Sequence, residues 1–174
     1  FQNGLALYAL ERPMLEAMHR AGVYHLMLSI ESGSARVLKD IMKKPLKVSI
    51  AKRVAADCRE LGIYTNANIL IGLPGETKQD IEDTRQFLRT VDANWFIIFA
   101  AAPLVGSEMH EICESKGYLT EGYIGQDYKS AVVETEDFSA EYIQEQIYLL
   151  NLELNFVHNA DMRLGDYSSA LKGL

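Results

Sequence analysis

The chain has 174 residues, of which 48% are hydrophobic and 24% charged, with a formal net charge of −7. This balance fits one globular domain, with room for a tail, and excludes a disordered or low-complexity chain. Residues 1–110 carry 13 Lys and Arg against 12 Asp and Glu, and residues 111–174 carry 4 against 12, so nucleic acid, which needs concentrated positive charge, is not an expected partner.

The chain begins at Phe1 without an initiator methionine, as a piece excised from a longer protein would, and Phe1 to Gly4 suits the end of a strand. Hydrophobic periodicity then predicts a helix over 8–20, a strand over 24–30, helices over 35–43 and 48–61, a strand over 63–71, a helix over 78–91 and a strand over 95–101. Pro45 separates the two helices of the longest helical stretch. Gly22 and Gly62 each follow a helical pattern and suit left-handed C-caps. Ser34 is a candidate cap for the helix after it, and Thr77 with Asp80 forms a capping pair. Strands joined by single helical crossovers imply a parallel sheet. WFIIFAAAP is nearly all apolar, the pattern of a parallel strand buried on both faces.

Beyond residue 103 the pattern changes. PLVGSEMHEICESKGYL predicts a loop and short helix, EGYIGQDYKSAVVETEDF irregular chain with a short strand. From Ser139 onward, Ile143, Ile147, Leu150, Leu154 and Val157 recur at helical spacing. One long helix is expected, followed by the start of another at DYSSALKGL. The fold class is therefore α/β with parallel strands, divided into a domain over 1–120 and an irregular linker with helical extension over 121–174.

The two cysteines, Cys58 and Cys113, lack partners at metal-ligand spacing, so neither a disulfide framework nor a zinc site is expected. Cys58 falls on the apolar stripe Ile50, Val54, Cys58, Leu61 and suits a core. Lys39, Lys43, Lys44, Lys47, Lys52 and Arg53 form either a phosphate-binding patch or a solvated helix face. No apolar run approaches the roughly 20 residues that span a bilayer, and no signal peptide opens the chain; a cytoplasmic location without membrane contact is expected.

Ligands of parallel α/β folds gather at the carboxyl ends of the strands. Three segments fall there: ESGS (31–34), GLPGE (72–76) and APLVGSE (102–108). Their small residues either let a ligand touch bare peptide groups or make tight turns. Glu31 ends an apolar strand, where a carboxylate needs donors: a ligand hydroxyl, a cation, or the next helix with Ser32 or Ser34. Asn66 and Asn68 alternate onto one face and imply a polar space or an internal hydrogen-bond network. No nucleophile–base constellation is visible, and the catalytic residues are not assigned.

The ordered set NG (3–4), AGVYHLMLSIESGS, VLKDIMKK, LGIYTNANILIGLPGET and APLVGSEMHE resembles the second half of a radical S-adenosylmethionine (SAM) enzyme barrel. It is most similar to the branch whose members often carry a cobalamin-binding domain, relatives of the anaerobic magnesium-protoporphyrin cyclase; methylthiotransferases share much of the pattern. The resemblance covers residues 1–120 and implies the later strands of a TIM-like partial (β/α) barrel. It implies a parent Fe-S oxidoreductase or methyltransferase that cleaves SAM reductively to a 5′-deoxyadenosyl radical and acts on a small molecule. Glu31, Ser32 and Gly33 then approach the SAM ribose. Asn68, Leu70, Gly72, Leu73, Pro74 and Gly75 shape the adenine and methionine pocket, and Pro103, Leu104 and Gly106 match a segment after the last strand. Val105 and Ser107 depart from that segment's pattern.

The family's cluster cysteines, spaced Cys-x3-Cys-x2-Cys, have no match here, so the resemblance places the 4Fe-4S ligands outside this chain, with cobalamin a candidate further cofactor held elsewhere. The chain alone is expected to be inactive. The competing reading is a non-catalytic βα-repeat scaffold with a helical tail that docks a partner. RLGDYSSAL (163–171) resembles a tetratricopeptide turn, with a plain amphipathic tail as the alternative. An interrupted barrel exposes a strand edge, which is expected to drive homo-oligomerisation or to be covered by the acidic tail helix.

Overall fold

The computed structural model describes residues 4–121, 123 and 130–159; the tetratricopeptide-like segment and the second tail helix lie outside the described residues. A 3₁₀ turn at Leu7–Ala9 and helix α1 (Arg12–Arg20) divide the single helix expected over 8–20, because Pro13 in the first turn of α1 starts a new helix there. Strand β1 (His25–Glu31) follows, then a π-helical turn at Val37–Ile41 and helix α2 (Val48–Glu60). Strand β2 (Tyr64–Ile71) leads to helix α3 (Lys78–Leu88), and strand β3 (Trp95–Ala100) to helix α4 (Glu108–Lys116). Helix α5 (Ala140–Leu152) runs into a π-helical stretch at Glu153–His158.

The caps at Gly22, Gly62, Thr77 and Ser139 are those the sequence calls for, and Ser107 adds one more. Gly22 and Gly62 sit at φ +88 and +72. Thr77 and Asp80 form a reciprocal capping box, and Ser107 and Ser139 accept backbone N–H groups at the starts of α4 and α5. The short strand expected in the irregular segment is one antiparallel bridge between Leu119 and Val133.

The strands form one parallel sheet in the order β1-β2-β3. His25 to Ser29 lie opposite Tyr64 to Asn68, and a bulge then puts Glu31 opposite Ile69. Asn66 to Ile71 lie opposite Trp95 to Ala100. Leu26, Leu28, Ile30, Ala67, Ile69, Ile71, Phe96 and Ile98 are buried with Leu15, Val54, Cys58, Ile81 and Leu88 of the helices. The alternate residues Met27, Ser29, Asn66, Asn68, Leu70, Trp95 and Ile97 are only half-buried, and Phe99 is 38% exposed. WFIIFAAAP is thus covered on one face, not two. The sheet keeps an open face, as a segment of a barrel wall does.

Helix α5 belongs to the same core: Ile143, Leu150 and Leu154 are buried in it. It also occupies the outer edge of β3. Asn155 accepts from Phe96 N–H at 2.8 Å and donates to the Phe96 carbonyl at 2.8 Å. Asn151 does the same for Ile98 at 3.3 and 3.2 Å, and Asn159 donates to the Ala93 carbonyl at 2.9 Å. Asn151 and Asn155 each supply the donor and acceptor that a neighbouring strand would supply, and Asn159 supplies a donor. Arg89 on α3 holds Glu153 at 2.6 Å, and Arg85 donates to Gln146 at 2.6 Å. The acidic tail helix thus covers the strand edge at β3. Among the described residues no helix is long and apolar enough to cross a membrane.

Replacing Asn155 by leucine strands the Phe96 N–H and carbonyl in a buried site and is expected to destabilise the fold by about 2–4 kcal/mol. Chemical denaturation of the variant against wild type measures this; a loss below about 1 kcal/mol would show that water satisfies that edge equally well.

Candidate functional site

The three punctuation segments lie at neighbouring strand ends, because the strands are parallel and adjacent. What each contributes differs. Ser32 and Gly33 turn toward α3 rather than into the open face. The Ser32 hydroxyl lies 3.1 Å from the Thr84 hydroxyl and accepts the Ser34 N–H, and Gly33 N–H donates to Thr84. A Cβ on Gly33 would come within 2.7 Å of the Thr84 Cα. Glycine is required there for close passage of the chain over α3, whatever else the segment does.

Glu31 remains available. It ends β1 at φ +71, a conformation costly for a residue with a Cβ. Its half-buried carboxylate accepts from Lys44 at 3.2 Å. Lys43, at φ +52, pairs with Glu108 at 2.6 Å. Two members of the lysine cluster thus tie the end of β1 and the start of α4 to one loop. Glu31 and Lys43 are the only non-glycine residues with positive φ among the described residues. On β2, Asn68 donates to the Met27 sulfur at 2.8 Å, while its Oδ1 is buried without a partner among the described residues. A buried carbonyl oxygen in that condition is a place for a ligand donor or a water. Leu70 lies on the same half-open face.

The GLPGE turn is organised from inside. Glu76 is fully buried, and its Oε2 accepts Gly72 N–H at 2.6 Å and Leu73 N–H at 3.1 Å. Two of the peptide donors expected to face a ligand are therefore taken by the protein's own carboxylate. Gly72 and Gly75 adopt φ +86 and +84, which answers why glycines flank Pro74. A Cβ on Gly72 would come within 2.9 Å of Ile143 Cγ2 on α5. Arg36 donates to the Gly75 carbonyl at 2.9 Å and grips Asp80. Leu73 and Pro74 are half-buried, and Gly75 is exposed. After β3, Pro103 is buried with its carbonyl accepting from the Tyr123 hydroxyl, while Leu104 and Gly106 lie exposed on the turn before α4.

The two acids near this turn are driven oppositely. Burial pushes the Glu76 carboxyl up to about 7, against the pull of its backbone donors. Burial also acts to raise Asp80, but hydrogen bonds from Arg36, Thr77 and Ser34 outweigh it and hold that carboxyl well below the usual range. Glu76, Asp80, Arg36, Thr84 and the α5 asparagines were outside the residues singled out by sequence as the site. The repeat of Asn at 151, 155 and 159, four residues apart, is the signal that was there to be read.

Among the described residues no three His, Cys, Asp or Glu side chains come together to hold a metal ion. Cys58 and Cys113 are both buried in the core, and burial pushes the Cys58 thiol up to about 12 and raises Cys113 as well. An iron–sulfur cluster needs accessible thiolates, so these two do not fit it.

Residues 3–88 match the profile of the Radical SAM superfamily. A cytidylyl-2-hydroxyethylphosphonate methyltransferase of Streptomyces wedmorensis is 28% identical over 162 residues, which is 88% of this chain and 30% of that protein. A tRNA-2-methylthio-N(6)-dimethylallyladenosine synthase of Vibrio cholerae is 32% identical over 49% of this chain and 18% of its own length. The anaerobic magnesium-protoporphyrin IX monomethyl ester cyclase of Cereibacter sphaeroides is 31% identical over 42% of this chain and 12% of its own. The chain thus spans less than a third of these relatives. The coproporphyrinogen III oxidase structure from Escherichia coli, a radical SAM enzyme, superimposes with a TM-score of 0.59 over 83% of this chain and 30% of that one, at 16% identity. The shared fold is that of part of a TIM-like barrel.

Glu76 generates a pH prediction. Burial holds its carboxyl up at about 7 in the folded state, above the ordinary 4.5, so the native state holds the proton more tightly and stability falls as pH rises between those values. Asp80, ionised in both states above pH 5, adds no slope there. Relative to wild type, Glu76→Gln is expected to gain stability from pH 5 to pH 8, by up to about 3 kcal/mol. Parallel melting curves of the two proteins across that range would contradict this. Separately, Gly33→Ala is expected to destabilise by about 1–3 kcal/mol through overpacking, measured by denaturant unfolding.

Proposed function

Because this chain belongs, through residues 3–88, to the radical SAM superfamily, we propose that it forms the later strands of a SAM-binding barrel and contributes the nucleoside side of the cofactor site. The observation that carries this reading is Glu31, whose carboxylate is held at the end of β1 in a costly backbone conformation and faces Lys44. Sites tend to store strain of this kind. Glu31 accepts the ribose hydroxyls; Asn68 offers its unpartnered Oδ1 to a ligand donor; Leu70 and the Gly72–Gly75 turn bound the adenine and methionine parts. Pro103, Leu104 and Gly106 border the base from β3. Ser32 and Gly33 act behind this surface, through α3.

The chemistry supplied by the complete site is reductive cleavage of SAM to a 5′-deoxyadenosyl radical, in a methyltransferase or oxidoreductase of small molecules. The 4Fe-4S ligands lie outside this chain, as does any cobalamin-binding domain. Similarity to a methyltransferase over 88% of the chain supports the methyl-transferring branch. The substrate's place is the open face: Ser29, Asn66 and Asn68 offer a polar side, and Trp95, Ile97 and Phe99 an apolar one.

Isothermal titration of the chain with SAM tests the binding role. Glu31→Gln is expected to weaken binding at least tenfold, since a charged acceptor is worth about 1.5–3 kcal/mol, while stability stays within about 1 kcal/mol of wild type. Equal affinity of variant and wild type would remove Glu31 from the site. For the longer proteins to which the reading extends, anaerobic cluster reconstitution should yield 5′-deoxyadenosine; its absence in a folded, loaded protein would overturn the catalytic assignment.

A further inference from the structure

Helix α5 touches the candidate site at one point and the sheet at another. Asn151 of α5, with Asn155 and Asn159 in the π-helical stretch that continues it, binds the outer edge of β3 and the residues just before it, from Ala93 to Ile98. About two turns before Asn151, Ile143 seats on Gly72, with so little room that a Cβ there would lie 2.9 and 3.3 Å from its Cγ2 and Cγ1. Gly72 is also where the buried Glu76 carboxylate takes its shorter hydrogen bond, 2.6 Å. The turn therefore has Glu76 inside it and Ile143 on top of it. The asparagine row fixes the height of Ile143 over the turn together with Gln146, which accepts from Arg85 at 2.6 Å. A carboxamide that pairs with both the N–H and the carbonyl of one strand residue permits no sliding along the strand.

We propose that α5 is a positioning clamp for the strand-end site: the asparagine row sets the helix on the edge of β3, and Ile143 thereby closes the GLPGE turn, so that order in the turn requires both docked α5 and the Ile143 side chain. Asn151, Asn155 and Ile143 are positioning residues in this scheme, since they act through β3 and Gly72. The consequence is reciprocal. A ligand that needs the turn ordered favours docked α5, and a loosened α5 weakens that ligand by the same factor. The amide-exchange readout is independent of the ligand; only the affinity readout rests on the function proposed above.

Hydrogen exchange on the 174-residue chain decides it. In Ile143→Ala, the Gly72 and Leu73 amides are expected to exchange about tenfold faster than in wild type while Phe96 and Ile98 keep their protection. In Asn151→Leu with Asn155→Leu, both sets should accelerate together. Ile143→Val, which keeps the γ-methyl against the turn, should restore wild-type rates. Val54→Ala, a cavity in α2 away from the clamp, should lower global stability without selective release of the turn. SAM affinity in Ile143→Ala should fall about tenfold. Unchanged Gly72 and Leu73 exchange in Ile143→Ala, or the same turn release in Val54→Ala, would overturn the clamp. If wild type binds no SAM, the proposed function fails while the amide pattern still decides the clamp. If wild type binds SAM and Ile143→Ala binds it equally, the clamp fails and the proposed function stands.

Discussion

A parallel strand at the end of a sheet has backbone donors and acceptors on its outer side that water or protein must satisfy, and the arrangement of this chain depends on how β3 meets that demand. Three asparagine side chains from a helix take the place of a fourth strand. Asn151 and Asn155, four residues apart on the helix, meet Ile98 and Phe96, two residues apart on the strand. The solution ends the sheet without leaving a template for another chain, and it brings α5 over the GLPGE turn. The same helix therefore closes the sheet and roofs the site beside it.

Charge follows from that placement. Among the described residues, the helix that carries the acidic C-terminal segment does not stand apart as a solvated tail. Glu153 meets Arg89 and Arg85 on α3, and Gln146 meets Arg85. Two buried acids work nearby with opposite tendencies. Asp80 is surrounded by donors and stays ionised, joining Ser34, Arg36 and Thr77 into one knot that ties the segment after β1 to the start of α3. Glu76 has two backbone donors and one orphaned oxygen, too few to offset burial. The first is a structural anchor at all ordinary pH values, and the second makes the turn respond to pH.

The radical SAM resemblance seen in ESGS and GLPGET is matched by the superfamily profile over residues 3–88 and by a fold in common with part of a radical SAM barrel. The structure refines how those motifs serve a site. Glu31, Asn68 and Leu70 lie on the open face, where a ligand can reach them. Ser32 and Gly33 are spent on contact with Thr84, and the first two peptide donors of GLPGE are spent on Glu76. Part of each motif builds the strand end, and only the remainder can touch what binds there.

Local physics wrote the elements into the sequence. Helix boundaries at Gly22, Gly62, Thr77 and Ser139 depend on a residue and its near neighbours along the chain, so they were legible without a fold. The parallel order was equally legible, since one helix between successive strands leaves little choice. Long-range pairing was not. Whether WFIIFA is covered on one face or two depends on what lies across the sheet, and whether Asn155 is a surface amide or a strand surrogate depends on an edge 59 residues away. Glu76 looks like a ligand-facing acid until the turn folds back on it. Tertiary structure alone decides such matters, because a hydrogen-bonding side chain takes its meaning from the partner that folding brings to it.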